Sequence, residues 1–157
     1  MLQRHFYTAG LAGYITLERM NLVTQALQIR LLPLRVADDE DWVRVQVTLA
    51  ASGFTGNFEA WLQLADLERF EQELAAMYLA VGKPATAELS SAEPGIFVHL
   101  EMQSLGSIVG EFSFESERPA GVPTVLKGGF AIDQSFLPEL QQSVNALAIQ
   151  LKAKNAP

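Results

Sequence analysis

Residues 42–64, WVRVQVTLAASGFTGNFEAWLQL, contain two strand patterns joined by a short turn. In each pattern apolar residues alternate with polar ones, which is typical of a strand with one buried face. Centring the turn between Ala51 and Ser52 sets each apolar residue opposite another. The predicted pairs are Val43 with Ala60, Val45 with Phe58, Val47 with Gly56 and Leu49 with Phe54. The same register places Trp42 opposite Trp61 on the outer face.

The two tryptophans leave two alternatives open. Either they form an exposed aromatic patch at the open end of the hairpin, or a loop, the N-terminal segment or the last helix covers them. An exposed pair of indoles predicts a protein contact, because aromatic side chains contribute much of the binding energy of protein interfaces.

The hairpin is followed by the clearest helical pattern, LADLERFEQELAAMYLAVGKP. Asp66 is a candidate N-cap, and Gly82 and Pro84 end the pattern. Its apolar residues recur three and four positions apart: Leu67, Phe70, Leu74, Met77, Tyr78 and Val81. A second helix is predicted near the C-terminus from the stripe of Leu137, Leu140, Val144, Leu147 and Leu151.

A second hairpin lies between the two helices, where IFVHLEM and SIVGEFSFE alternate on either side of the turn SLG. The predicted pairs are Met102 with Ile108, Leu100 with Gly110, Val98 with Phe112 and Ile96 with Phe114. This register sets His99 opposite Glu111 on the outer face. A further strand, TVLKGGFAI, contains Gly128 and Gly129, which mark either a bulge or a close crossing.

The predicted order of elements is β-β-β-α-β-β-β-β-α, which favours an α+β fold. The most economical arrangement is a single antiparallel β-sheet of about six to seven strands with two amphipathic helices packed on one face. Residues 20–157 are predicted to form one α+β domain, since no linker divides them. Residues 1–19 are predicted to be an N-terminal extension that is peripheral or lies upstream of the true start, because a second methionine stands at Met20.

The composition is that of a globular domain, and it excludes several kinds of site. The chain has no cysteine, which removes disulfides, thiolate metal ligands and cysteine nucleophiles. No apolar run approaches the roughly 20 residues that cross a bilayer, so we expect a cytoplasmic protein without membrane contact. The formal net charge is −7, and residues 38–117 hold 15 of the 18 acids but only three bases. Such a surface repels nucleic acid and attracts basic proteins.

Residues that commonly carry catalytic chemistry are sparse in this chain. It has two histidines, His5 and His99, and the pairing of His99 with Glu111 is more typical of a cross-strand contact than of a base with its orienting group. The acidic run DDED at 38–41 lacks the alternating ligands and the glycine of a calcium loop. Neither GLAG nor LKGGF has the context of a phosphate-binding loop. The sequence therefore predicts a protein that is not an enzyme and that needs no metal or cofactor.

Four landmarks occur in an order that is typical of a known family. They are Trp42, the strand motif Gly53-Phe54-x-Gly56-x-Phe58, the helix motif Leu67-x-x-Phe70-x-x-x-Leu74 and the helix start Asp133-Gln134-Ser135-Phe136-Leu137. With these landmarks, residues 27–150 resemble the WapI-type family of small bacterial immunity proteins, which overlaps uncharacterised domains of unknown function. The resemblance implies a cytosolic protein that binds and neutralises a nuclease-type toxin domain by steric occlusion.

Two hypotheses for the function therefore stay open. The first is an immunity or antitoxin-like protein whose partner is a basic toxin domain. The second is a non-enzymatic binding or self-associating domain that uses a sheet edge or the tryptophans, either as a monomer or as a weak homodimer. The predicted partner-binding residues are Trp42, Trp61, Asp39, Glu40, Asp41, Glu59 and Glu111.

Overall fold

The computed structural model describes residues 17–35, 38–80, 82–93, 95–116 and 121–154, within which there are eight strands and two α-helices. The strands are β1 (Met20–Val23), β2 (Leu27–Pro33), β3 (Trp42–Ala51), β4 (Phe54–Gln63), β5 (Ala85–Ser90), β6 (Ile96–Met102), β7 (Ser107–Glu115) and β8 (Val125–Asp133). The helices are α1 (Leu64–Leu79) and α2 (Leu137–Lys154). The predicted N-terminal extension covers residues 1–19, of which residues 1–16 lie outside the described part of the chain.

β3 and β4 form the long hairpin expected from the sequence, but its register differs by two residues. The loop consists of Ser52 and Gly53, whose φ angles of 48° and 86° are the left-handed values that a type I′ turn requires. Val47 consequently faces Phe58, where Gly56 was predicted. A shift of two residues keeps every side chain on its predicted face. The four predicted inward residues of β3 are buried, namely Val43, Val45, Val47 and Leu49.

The strands form two four-stranded antiparallel sheets, so the prediction of a single sheet was wrong. Sheet A has the order β1-β2-β3-β4, and sheet B has the order β5-β6-β7-β8. Alternation reveals which face of a strand is buried, but it does not reveal which strands are neighbours. α1 lies between β4 and β5 in the chain, and the second sheet begins after it. The same order, four antiparallel strands and then a helix, thus occurs twice along the chain.

The hairpin of β6 and β7 has the predicted register in all four pairs. β8 pairs with β7 without interruption along its whole length, so its two glycines do not mark a bulge. Gly128 lies instead against the ring of Phe112, whose Cζ would be 2.9 Å from a Cβ at that position. Gly110 of β7 lies in the same way against the ring of Phe130. Each glycine makes room for the aromatic ring of the neighbouring strand.

The two predicted helices are present, with one correction at the start of α1. Gln63 is its N-cap, and Asp66, the predicted cap, is instead the third residue of a capping box, accepting a 2.9 Å hydrogen bond from the N–H of Gln63. The predicted apolar stripe of α1 is buried apart from Tyr78, which is 47% exposed, and Val81, which lies outside the described residues. All five predicted core residues of α2 are buried. No described helix is both long and apolar enough to span a membrane.

One cluster of buried apolar residues fills the space between the sheets and the helices. α1 packs on β5 and on α2, and α2 packs on β1. The two sheets meet where β4 approaches β6, and there Phe58 contacts Phe114 edge to face with ring centroids 6.3 Å apart. Each sheet therefore has an inner face in this core and an outer face directed away from it.

Candidate protein-binding surface

The outer face of sheet A carries both tryptophans. Trp42 faces Gln63 and Trp61 faces Arg44, so the predicted pairing of the two indoles was wrong. The two-residue turn moves them into diagonal positions on the same face. Both are half-buried, and neither is sealed in the core. The tryptophan face is defined by six outward residues of β3 and β4: Trp42, Arg44, Gln46, Glu59, Trp61 and Gln63.

Arg44 lies at the centre of the tryptophan face. Its guanidinium forms an ion pair with the Glu59 carboxylate. Its Cζ also lies 5.6 Å from the centre of the Trp61 ring, within the range of a cation–π contact. Glu59 is one of the predicted partner-binding acids. Its negative charge is therefore already balanced by Arg44 within the tryptophan face. The tryptophan face is balanced in charge and is not itself acidic.

The acidic loop at residues 38–41 leads into the first residue of β3, Trp42, and so lies beside the tryptophan face. One Asp38 carboxylate oxygen accepts hydrogen bonds from the N–H groups of Glu40 (2.9 Å) and Trp42 (3.0 Å). Asp41 has a left-handed φ of 61°, and its carbonyl oxygen accepts a 2.9 Å hydrogen bond from the first N–H of α1. These bonds fix the loop against the start of the helix. The predicted acids exposed at this end of sheet A are Asp39, Glu40 and Asp41.

Glu111 lies on the outer face of sheet B, so the seven predicted residues do not share one sheet. Most carboxylates that project from strands collect on this second face. It is called the acidic face and is defined by the outward acids Glu88, Glu101, Glu111, Glu115 and Asp133. Among the described strand residues that point outward here, Lys127 is the one lysine. The strand carboxylates therefore lie mainly on sheet B, whereas the acidic loop at residues 38–41 lies beside the tryptophan face.

His99 makes cross-strand contacts within the acidic face. It faces Glu111 as predicted, but its Nδ1 lies 3.2 Å from the carboxylate of Glu88 on the opposite side. Its ring stacks on that of Phe97 with centroids 6.4 Å apart. Across the described ranges, no group of three or more His, Asp or Glu side chains is placed to hold a metal ion.

Asp133 lies at the end of the acidic face, where β8 leads into the 3₁₀ turn Gln134–Phe136. Its carboxylate accepts a 2.8 Å hydrogen bond from the N–H of Ser135. Hydrogen bonds from the Ser135 side chain and then from its backbone lower the pKa of Asp133 below its ordinary value. Asp133 therefore keeps its negative charge to a lower pH than an ordinary aspartate does.

The far end of sheet A has an apolar feature that the sequence reasoning missed. A cleft of about 450 Å³ lies between the turn that joins β1 to β2 and the tip of the β3–β4 hairpin. Phe54 was predicted to lie inward opposite Leu49, but it faces Ala51 at the tip and is 66% exposed. The sequence signal for the exposed position of Phe54 is the Ser52-Gly53 dipeptide. It indicates a two-residue turn, and such a turn places Phe54 in the pair of residues next to it.

The chain matches a known protein family over most of its length. Residues 22–152 match the family described as Immunity protein WapI-like. The chain belongs to this family. The match runs from β1 into α2, so it includes both sheets and both helices. No curated protein and no solved structure matches the chain.

Membership of the WapI-like family confirms the resemblance expected from the landmark residues. In the fold most of these landmarks are structural: Gly53 forms the hairpin turn, and Phe70 and Leu74 are buried in the core. They fix the shape of a WapI-like protein and do not by themselves mark its contact surface. The immunity function suggested by the family implies a protein toxin as the partner, and binding to that toxin as the activity.

Proposed function

We propose that this WapI-like chain is a cytoplasmic immunity protein that neutralises a nuclease-type toxin domain by covering the surface with which the toxin holds nucleic acid. The observation that carries the proposal is the family match, which extends over both halves of the fold. Inhibition of this kind needs no catalytic group in the inhibitor, because a tightly docked protein excludes the substrate sterically.

The acidic face supports the choice of a basic partner. A nuclease must be positively charged where it holds phosphate groups. Five outward carboxylates with one lysine on sheet B complement such a surface. Complementary charge accelerates association and makes binding weaken as salt is added. It also repels free nucleic acid from the immunity protein itself.

The tryptophan face supports a second contact. Trp42 and Trp61 are half-buried, so each presents part of its ring to solvent. Arg44 holds the Trp61 ring in place through the cation–π contact. Tryptophan and arginine are the residue types that most often dominate interface energies. The exposed acids of the loop at residues 38–41 stand at the rim of this patch and add to its attraction for a basic partner.

The proposal predicts that a toxin gene adjoins the gene of this chain, and it is tested with an inactivated form of that toxin domain. Isothermal titration should show a complex whose dissociation constant rises steeply between low and high salt. Glu111→Lys should weaken binding by about tenfold or more. Glu139→Lys is the matched control, because it makes the same charge change at an exposed position of α2. Equal effects of the two reversals, or binding that is indifferent to salt, would contradict the electrostatic part of the proposal.

A separate pair of variants tests the tryptophan face. Trp61→Ala should raise the dissociation constant and mainly increase the rate of dissociation, because a packed aromatic anchor acts after docking. Tyr78→Ala serves as control, since Tyr78 is an exposed aromatic residue on α1. Unchanged dissociation rates for Trp61→Ala and Trp42→Ala would remove the tryptophan face from the interface.

A further inference from the structure

Among the strands that the structure describes, β8 is the outermost of sheet B, and most of its residues are exposed. Within the described residues it pairs with β7 alone. Gly128 and Gly129 are both exposed, and the exposed area of a glycine is main chain because glycine has no side chain. Natural proteins commonly block an open edge with positively charged side chains. Lys127 is the one such residue in β8.

Hydrogen bonds at the ends of β7 show which groups of β8 point to the free edge. In an antiparallel sheet each residue directs its N–H and C=O to one neighbouring strand, and successive residues alternate between the two neighbours. The N–H of Glu115 donates to Gly95 on the β6 side (3.1 Å), and the N–H of Ser116 donates to Thr124 on the β8 side (3.0 Å). Even-numbered residues of β8 therefore bond to β7. The residues that direct their N–H and C=O groups to the free edge are Val125, Lys127, Gly129 and Ala131.

We propose that this edge receives an extended, cationic strand of a partner protein, which joins sheet B as a fifth strand. A row of main-chain donors and acceptors at strand spacing is complemented by another extended backbone. The exposed glycines let that backbone approach closely, because no side chain shields the edge at the middle of β8. The mode of binding stands on this geometry alone, whereas the identity of the partner as a toxin domain rests on the proposed function.

The acidic face beside β8 indicates that the partner strand is cationic. Glu111 lies directly across Gly129 on β7, and Gly129 has no side chain to stand between Glu111 and a docked strand. A residue docked beside Gly129 would lie about 10 Å from Glu111, twice the spacing between strands. A lysine or arginine and the glutamate together span that distance. A second copy of this chain is less suitable, because it would bring a second acidic face alongside the first.

Amide hydrogen exchange of the free protein tests whether the edge is open. The N–H groups of Lys127, Gly129 and Ala131 should exchange quickly, because they have no strand partner among the described residues. Those of Gly128 and Phe130 should be protected, because they bond to β7. Protection of both sets of amides, or a dimer in sedimentation velocity that an Ala131→Pro change abolishes, would overturn the proposal.

A labelled peptide tests what the edge binds without any need for a toxin. The probe is a cyclic β-hairpin with one arginine at the centre of its docking strand. It should bind in fluorescence polarisation and slow the exchange of the edge amides of β8. A version with N-methyl groups on the docking edge should lose binding, and a version with glutamate for arginine should bind at least about tenfold more weakly. Equal binding of the N-methylated peptide would indicate charge attraction alone and would overturn the proposal.

Two matched pairs of variants assign the contact to β8. Ala131→Pro removes an edge N–H without breaking a bond to β7, whereas Ala131→Val keeps that N–H. Glu111→Lys reverses the charge beside Gly129, and Glu139→Lys reverses one on α2. The first member of each pair should abolish or weaken peptide binding, with circular dichroism checking the fold, and the second should not. Equal effects within either pair would contradict the assignment.

The peptide and toxin experiments fail independently of one another. If the hairpin peptide binds at β8 but the neighbouring toxin domain does not bind the chain, the proposed function is wrong and the strand-docking edge stands. If the toxin domain binds while the peptide leaves the β8 amides unprotected, the edge proposal is wrong and the immunity function stands.

Discussion

Replacing Gly110 by alanine should destabilise the protein because the Phe130 ring occupies the space that a side chain needs. A Cβ at Gly110 would have three carbons of that ring within 2.5 Å, whereas carbon atoms in proteins pack at about 3.5–4.0 Å. The ring must move by about 1 Å or leave its position between β7 and β8. Overpacking of this kind costs about 1–3 kcal/mol. At roughly 2–4 °C per kcal/mol for a chain of this size, the melting temperature should fall by several degrees.

Gly56→Ala is the matched control for this change. Gly56 is also an inward-phase strand glycine, but the nearest atom to a Cβ there is a Phe58 ring carbon at an ordinary 3.8 Å. Alanine at this position should be neutral or stabilise the fold by up to about 1 kcal/mol, because it restricts the unfolded chain. In urea denaturation, the midpoint of Gly110→Ala should therefore lie well below that of the wild-type chain. The midpoint of Gly56→Ala should lie at the wild-type value or above it.

A double variant separates the ring contact from other effects of alanine at Gly110. Phe130→Leu removes the ring, so Gly110→Ala should cost clearly less in that background than in the wild-type chain. The difference, measured as a coupling free energy, should be about 1 kcal/mol or more. If Gly110→Ala shifts the urea midpoint no more than Gly56→Ala does, the close packing of Phe130 on Gly110 is refuted.

The remaining predictions concern the turn, the tryptophan face and the acidic face. Ser52→Asn should stabilise the hairpin by up to about 1 kcal/mol in urea unfolding, because asparagine tolerates the left-handed φ better than serine; a loss of stability would contradict the turn assignment. Arg44→Ala should cost less than about 1 kcal/mol, since its ion pair is partly solvated, yet it should change the fluorescence of Trp61; unchanged emission would argue against the cation–π contact. The pKa of Asp133 is lower in the folded chain than in the unfolded chain. Its ionised form therefore contributes its full stabilisation at pH values above the unfolded-state pKa. That stabilisation is lost as pH falls through the lower folded-state pKa. Ser135→Ala should therefore raise the pKa of Asp133 in an NMR titration, and an unmoved pKa would count against Ser135 as the cause.

Alternation in the sequence was sufficient to predict which side of each long strand is buried, but not which residues face each other. In the β6–β7 hairpin the predicted loop was correct, so every predicted pair is present. In the β3–β4 hairpin the loop is tighter than predicted, so the partners differ by two residues. An error of two leaves the faces unchanged because the side-chain period of a strand is two. Only pairings such as Trp42 with Trp61 were lost.

The predicted site residues lie on two different sheets, and local sequence patterns could not reveal this. Whether β5 pairs with β4 or starts a new sheet depends on contacts between distant parts of the chain, and helix α1 stands between them. The predicted surface combined the tryptophans with Glu111 because it assumed one sheet. Of the five predicted acids, Asp39, Glu40 and Asp41 lie in the loop before β3 and Glu59 lies on β4, so Glu111 alone belongs to the second sheet. That β8 is the outermost described strand of sheet B could be seen only once the strand order was known.

The most direct measurement is the growth of bacteria that produce the active toxin domain, which we expect to be encoded beside the gene of this chain. Cells that also produce the wild-type chain should grow, and cells that produce a folded variant carrying both Trp61→Ala and Glu111→Lys should die or grow slowly. The immunity function and its contact surfaces are contradicted if the wild-type chain gives no protection, if the double variant protects equally well, or if no toxin gene adjoins this one.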